Sequence, residues 1–159
     1  MSVIDPVIER AVEQALKNVG AQPGPLLEIL HDVQTTLGHV PGDAVPLIAA
    51  ALNLSRAEVH GVVSFYHHFR GTAPGRTVVQ ICRAEACQSM NAHALEAHVT
   101  RALGVPCGET TADGRVTLDA VYCLGNCACA PAMMVNGELH GRVTPERAAE
   151  IVKEWGVTA

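Results

Sequence analysis

Four cysteines stand in two close pairs, Cys82 and Cys87 in the run CRAEAC, and Cys123 and Cys127 in CLGNC. The spacings are C-x4-C and C-x3-C, with residues 88–122 between them. A [2Fe–2S] cluster needs four thiolates, because each iron completes a tetrahedron with two bridging sulfides and two cysteine sulfurs. Two short loops, brought together by a fold, can supply one pair each. Structural zinc also takes cysteine pairs at such spacings, so a zinc-stapled interaction module stays open on spacing alone. A thiol–disulfide oxidoreductase is a third reading, weakened by the lack of any C-x2-C.

The other polar side chains offer less. Cys129 lies two residues past Cys127 and reads as a free, partly buried thiol that could compete as a ligand. Cys107, in a Val-Pro-Cys-Gly stretch, reads as a small apolar packing residue. His67 and His68 are adjacent and, on a helix, would point in different directions. His60, His93 and His98 read as surface or packing residues of helices, and H-E-x-x-H is absent. No carboxylate pair suggests acid–base work. Without G-x-G-x-x-G or a P-loop, no nucleotide is expected on this chain.

Composition bounds the class. The 159 residues suffice for one ordinary domain or two small ones. With 48% hydrophobic but only 3% aromatic residues, the core must be built from Ala, Val, Leu and Ile. Net charge is −5 and the basic residues do not cluster, which argues against nucleic acid. No apolar run approaches the roughly 18–20 residues of a membrane span. The first residues lack a basic segment followed by an apolar one, so no signal peptide is expected and the expected compartment is the cytoplasm. There, cysteine pairs read as metal ligands before disulfides.

The elements that must position the cysteines follow from periodicity. Residues 1–70 read as helices: 7–19 after an Asp5-Pro6 start, 26–37 after the breaker Pro23-Gly24-Pro25, and a third capped by Asp43, with Pro46 in its first turn and 47–52 following. A fourth opens on the capping box Ser55–Glu58 and is expected to run to 69–71. Residues 71–76 (GTAPGR) form the candidate boundary, giving a helical domain 1–72 and a second domain 73–159. Beyond it, 77–81 reads as a strand delivering Cys82, 89–103 as a helix beginning beside Cys87, and 116–121 as a strand leading to Cys123. The dipole of helix 89–103 would favour thiolate charge. Residues 133–139 form an Asn-Gly hairpin, and a last helix runs from 145 to 155. A βαβ unit followed by ββα is a thioredoxin-like order, so the expected class is α+β with a mixed sheet.

Five motifs occur in one order: 26–34 (LLEILHDVQ), 59–66 (VHGVVSFY), the two cysteine pairs, and 134–137 (MVNG) with Gly141-Arg142. Over almost the whole chain this resembles the thioredoxin-like [2Fe–2S] subunit family of respiratory complex I, NAD-linked formate dehydrogenases and hydrogenases. Residues 82–90 (CRAEACQSM) look most like the gamma subunit of cytosolic, molybdenum-dependent formate dehydrogenases. The resemblance implies Cys82, Cys87, Cys123 and Cys127 as ligands of one [2Fe–2S] cluster. It implies an electron-transfer role in an NAD-dependent oxidoreductase, with no catalytic residue of its own. The implied partners are a flavoprotein subunit that carries FMN and binds NAD, and further iron–sulfur and molybdenum subunits. Asn91 stands where many relatives have glycine, a substitution suited to a left-handed backbone. The helical part is expected to bind partner chains through exposed apolar surface.

Overall fold

Each N-terminal helix is started by local chemistry and held by one apolar face. A computed structural model describes residues 4–154, and the chain divides into two units, Met1–Ala73 and Pro74–Ala159. In α1 (Pro6–Val19) the Asp5 carboxylate accepts the Val7 N–H at 2.8 Å, and Pro6 fills a position that needs no donor. Helix α2 (Leu26–Leu37) buries Ile29, Leu30 and Val33. Helix α3 (Ala44–Leu52) buries Ala44, Val45, Ile48 and Ala49, but Asp43 at its start makes no side-chain cap bond. Helix α4 (Arg56–Phe65) opens with the reciprocal Ser55–Glu58 capping box.

Helix α4 is shorter than its periodicity suggests. It stops at Phe65, and Tyr66 turns extended. His67 and His68 therefore lie in a turn, not on a helix. The cause is tertiary. The Gln34 amide donates to the His68 carbonyl at 2.9 Å and accepts from the Arg70 N–H at 2.8 Å. Phe69, buried to 7% exposure, packs into the core of this unit. Burying that ring contributes on the order of 1.5–3 kcal/mol, more than one further helical turn would add.

The second unit is a five-stranded mixed sheet in the order β2-β3-β1-β4-β5. The strands are β1 (Thr77–Cys82), β2 (Glu109–Thr110), β3 (Val116–Val121), β4 (Met133–Val135) and β5 (Glu138–His140). β1 pairs parallel with β3 and antiparallel with β4. Parallel neighbours need a crossover, which α5 (Glu85–Ser89) and α6 (Ala92–Leu103) provide. Helix α7 (Pro145–Glu154) packs on α6, and both share a core with the sheet through Val79, Ile81, Leu95, Leu118, Met133 and Ile151. Asn136 and Gly137 have φ of +48° and +87°, the positive pair of a type I′ turn. The short edge strand β2 carries no sequence signal. The expected helix end at 155 lies outside the described residues. Among the described residues no helix is long and apolar enough to cross a membrane.

The helix expected over 89–103 starts later, at Ala92, and a separate short helix precedes it. Asn91, at φ +66°, separates α5 from α6, so α6 starts only at Ala92 and Cys87 sits inside α5 rather than ahead of a long helix. The expected placement of a long helix's N-terminus beside Cys87 is thereby corrected. Asparagine tolerates the left-handed region better than most residues. Asn91→Ala is expected to lower stability by about 1–2 kcal/mol. Asn91→Gly is expected to stay within about 0.5 kcal/mol of the parent. Urea unfolding of the three proteins checks this.

Candidate metal centre

Parallel pairing brings the two cysteine loops to one edge of the sheet. Cys82 ends β1 opposite Val121, the last residue of β3. The chain leaving β3 therefore reaches Cys123 two residues beyond, on the same edge. The Cys82 N–H donates to the Ala132 carbonyl at 3.1 Å, and the Arg83 N–H to the Val121 carbonyl at 2.7 Å. The first extends the pairing of β1 with β4 by one residue, and the second carries its pairing with β3 past Cys82.

The two pairs differ in environment. Cys82 and Cys87 are each 2% exposed, in a nest of small side chains formed by Ala92, Ala130 and Ala132. Cys123 and Cys127 are exposed. All six cysteines are free thiols. The Cys123 and Cys127 sulfurs are 3.8 Å apart. Two thiolates on one tetrahedral metal, each about 2.3 Å from it, stand about 3.8 Å apart. The second pair thus already has the edge length of one metal tetrahedron. Among the described residues, no three His, Cys, Asp or Glu side chains are placed to hold a single ion. The Cys123–Cys127 spacing is that of two thiolates on one metal atom, an arrangement a binuclear centre uses twice.

Electrostatics point the same way. Burial, and then the hydrogen bond with Cys82, push the Cys87 thiol above its ordinary value, with Cys127 adding to the rise. The hydrogen-bonded Cys123 and its charge push Cys127 up, and Cys82 contributes. Cys87 and Cys127 thus ionise less readily than isolated thiols. A cationic centre would relieve that opposition to ionisation.

The loops are built around that crowding. Gly125, at φ +75°, folds the chain back so that its N–H donates to the Cys123 sulfur at 3.3 Å. Residues Cys127–Cys129 form one 3-10 turn. Cys129 faces Gly141, where a Cβ would stand 2.7 Å from the Cys129 Cβ and 2.6 Å from the Asn126 Nδ2. The Arg142 N–H donates to the Cys129 carbonyl at 2.6 Å. Gly141 is therefore required by close approach, a reason invisible in its sequence position. Cys107 packs against the sheet core, and burial followed by the nearby Glu96 carboxylate pushes its thiol up. His60 and His93 are exposed on α4 and α6, and His98 is half-buried on α6. Sequence reasoning missed the ion pair between Arg83, just after Cys82, and Glu96 on α6. Nothing in their separation announces it.

Comparison with known proteins agrees with this geometry. The family described as thioredoxin-like [2Fe–2S] ferredoxin matches residues 12–156. A subunit of the NADH-quinone oxidoreductase of Pseudomonas aeruginosa is 36% identical over 129 residues, covering 81% of this chain and 78% of that protein. The HndA subunit of the NADP-reducing hydrogenase of Solidesulfovibrio fructosivorans is 30% identical over 154 residues, covering 97% and 90%. A crystal structure of an NAD+-reducing [NiFe]-hydrogenase in the air-oxidized state aligns with a TM-score of 0.69 at 27% identity. The aligned region covers 82% of this chain and 22% of that one.

Gly125→Ala tests the loop. The left-handed backbone is expected to cost about 1–2 kcal/mol, and metal retention should fall about tenfold. The rate at which a chelator strips metal from loaded protein measures this.

Proposed function

This chain belongs to the thioredoxin-like [2Fe–2S] ferredoxin family and its cofactor is a [2Fe–2S] cluster, and on that footing we propose that it is an electron-transfer subunit of an NAD-dependent formate dehydrogenase. The proposed ligands are Cys82, Cys87, Cys123 and Cys127. The observation that carries the ligand assignment is the pairing of four free thiols at one edge of the sheet, with two sulfurs 3.8 Å apart. Bound there, the cluster supplies one-electron chemistry.

The chain's own residues divide the work by exposure. Cys82 and Cys87, in their alanine nest, hold one side away from water. Cys123 and Cys127 face outward and offer the short path for an electron to or from a partner. Tyr122, 69% exposed beside them, marks that face. The Gly125 N–H donates toward the Cys123 sulfur, a contact that favours the reduced, more negative state. In this reading the organic substrate is turned over by other chains of the complex.

The partners in this reading are an FMN- and NAD-binding flavoprotein and further iron–sulfur and molybdenum subunits, working in the cytoplasm. Relatives named as subunits of NADH-quinone oxidoreductase and NADP-reducing hydrogenase support an NAD-linked complex. The run 82–90 (CRAEACQSM) supports the formate dehydrogenase type. The equivalent subunit of complex I or of an NAD-linked hydrogenase is the second reading, supported by those same relatives. On the first unit, Phe65 is 73% and Tyr66 43% exposed, with ring centroids 5.1 Å apart. An aromatic pair so exposed suits a surface that a partner covers.

Anaerobically purified protein should carry about two irons and two sulfides per chain and give a half-spin EPR signal on reduction. Cys123→Ser should lose or destabilise the cluster, whereas Cys107→Ser should retain it. Colourless, zinc-loaded protein would overturn the reading. Tagged chain recovered with a formate-oxidising, flavin-containing complex would support the formate dehydrogenase assignment, and recovery with quinone-reducing or hydrogen-oxidising subunits would replace it.

A further inference from the structure

Arg83 stands between the first two proposed ligands and is tied to the surroundings of three of them. It follows Cys82 directly. Its N–H donates to the carbonyl of Val121, two residues before Cys123, at 2.7 Å. Its carbonyl accepts from the Gln88 amide, next to Cys87, at 2.6 Å. Its guanidinium forks onto Glu96 of α6, with Nε 2.7 Å from one carboxylate oxygen and Nη2 bonded to the other.

We propose that the Arg83–Glu96 pair is a positioning clamp that fixes the first cysteine loop, residues 83–88, against helix α6. This rests on the reading that Cys82, Cys87, Cys123 and Cys127 hold the cluster. Exposed ion pairs contribute little, because water screens them and two long side chains must be ordered. This pair differs in geometry and setting. It is bidentate, and its side chains are only 34% and 17% exposed. The hydrogen bond between them raises the Arg83 pKa and lowers that of Glu96, so both stay charged. Helix α6 is packed into the sheet core through Leu95 and Val99, so Glu96 is a fixed anchor. Through it, the loop 83–88 is held against a rigid element instead of closing only on itself. Lysine keeps the charge but not the planar fork.

Charge and positioning predict different patterns, and four variants separate them: Arg83→Gln, Arg83→Lys, Glu96→Gln and the double Arg83→Gln/Glu96→Gln. Each is purified anaerobically as full-length chain, and chelator-driven iron loss, the EPR spectrum and the reduction potential are measured. Under positioning, all four lose iron about tenfold faster than the parent, and their EPR g-values shift in the same sense. Arg83→Lys then resembles Arg83→Gln. If the pair acts only through charge, Arg83→Gln lowers the potential, Glu96→Gln raises it, the double variant restores it, and iron loss stays at the parental rate. That pattern, or four variants indistinguishable from the parent, overturns the clamp. Should Arg83→Gln fail to fold, Arg83→Lys and Glu96→Gln decide by the same criteria. Parent protein without a cluster would instead sink the ligand assignment, and the clamp with it.

Discussion

β1 and β3 run side by side in the same direction, with Cys82 opposite Val121. Every feature of the metal centre depends on that register. Parallel strands end at the same edge of a sheet, so chain segments far apart in sequence emerge together there. A one-residue slip would move Cys123 along the edge and turn alternate side chains to the opposite face. The pairing is protected by burial: Val79, Ile81 and Leu118 are fully enclosed, and each such side chain contributes on the order of 1.5–3 kcal/mol.

Around that constraint the molecule accepts local conflict. Burial and then Cys82 push the Cys87 thiol up, and Cys123 pushes Cys127 up. Asn91, Gly125 and Arg142 occupy the left-handed region close to the site. The asymmetry of exposure gives the site direction. One thiol pair is sealed among alanines, and the other faces outward with Tyr122. A centre meant only to staple the fold has no need of such a face.

The helical unit follows another logic. Its core is small and aliphatic, and Phe65 remains exposed while Phe69 is drawn inward. Leaving a phenylalanine in water while enclosing its near neighbour is costly for an isolated unit. It is reasonable for one that meets another chain.

By itself, the sequence determined the cysteine pairs as candidate ligands, the α+β class, the capping box at Ser55 and the Asn-Gly hairpin. Each of these rests on interactions within a few residues, and such interactions leave their signature in local spacing. Only the tertiary structure decided that α4 stops at Phe65, because the competing partner is Gln34 on another helix. Only it placed Cys87 in a separate short helix, added β2 as an edge strand, required glycine at 141 and joined Arg83 to Glu96. Those outcomes depend on atoms that meet after folding, where packing and buried charge outweigh local preference and sequence distance carries no trace of the contact.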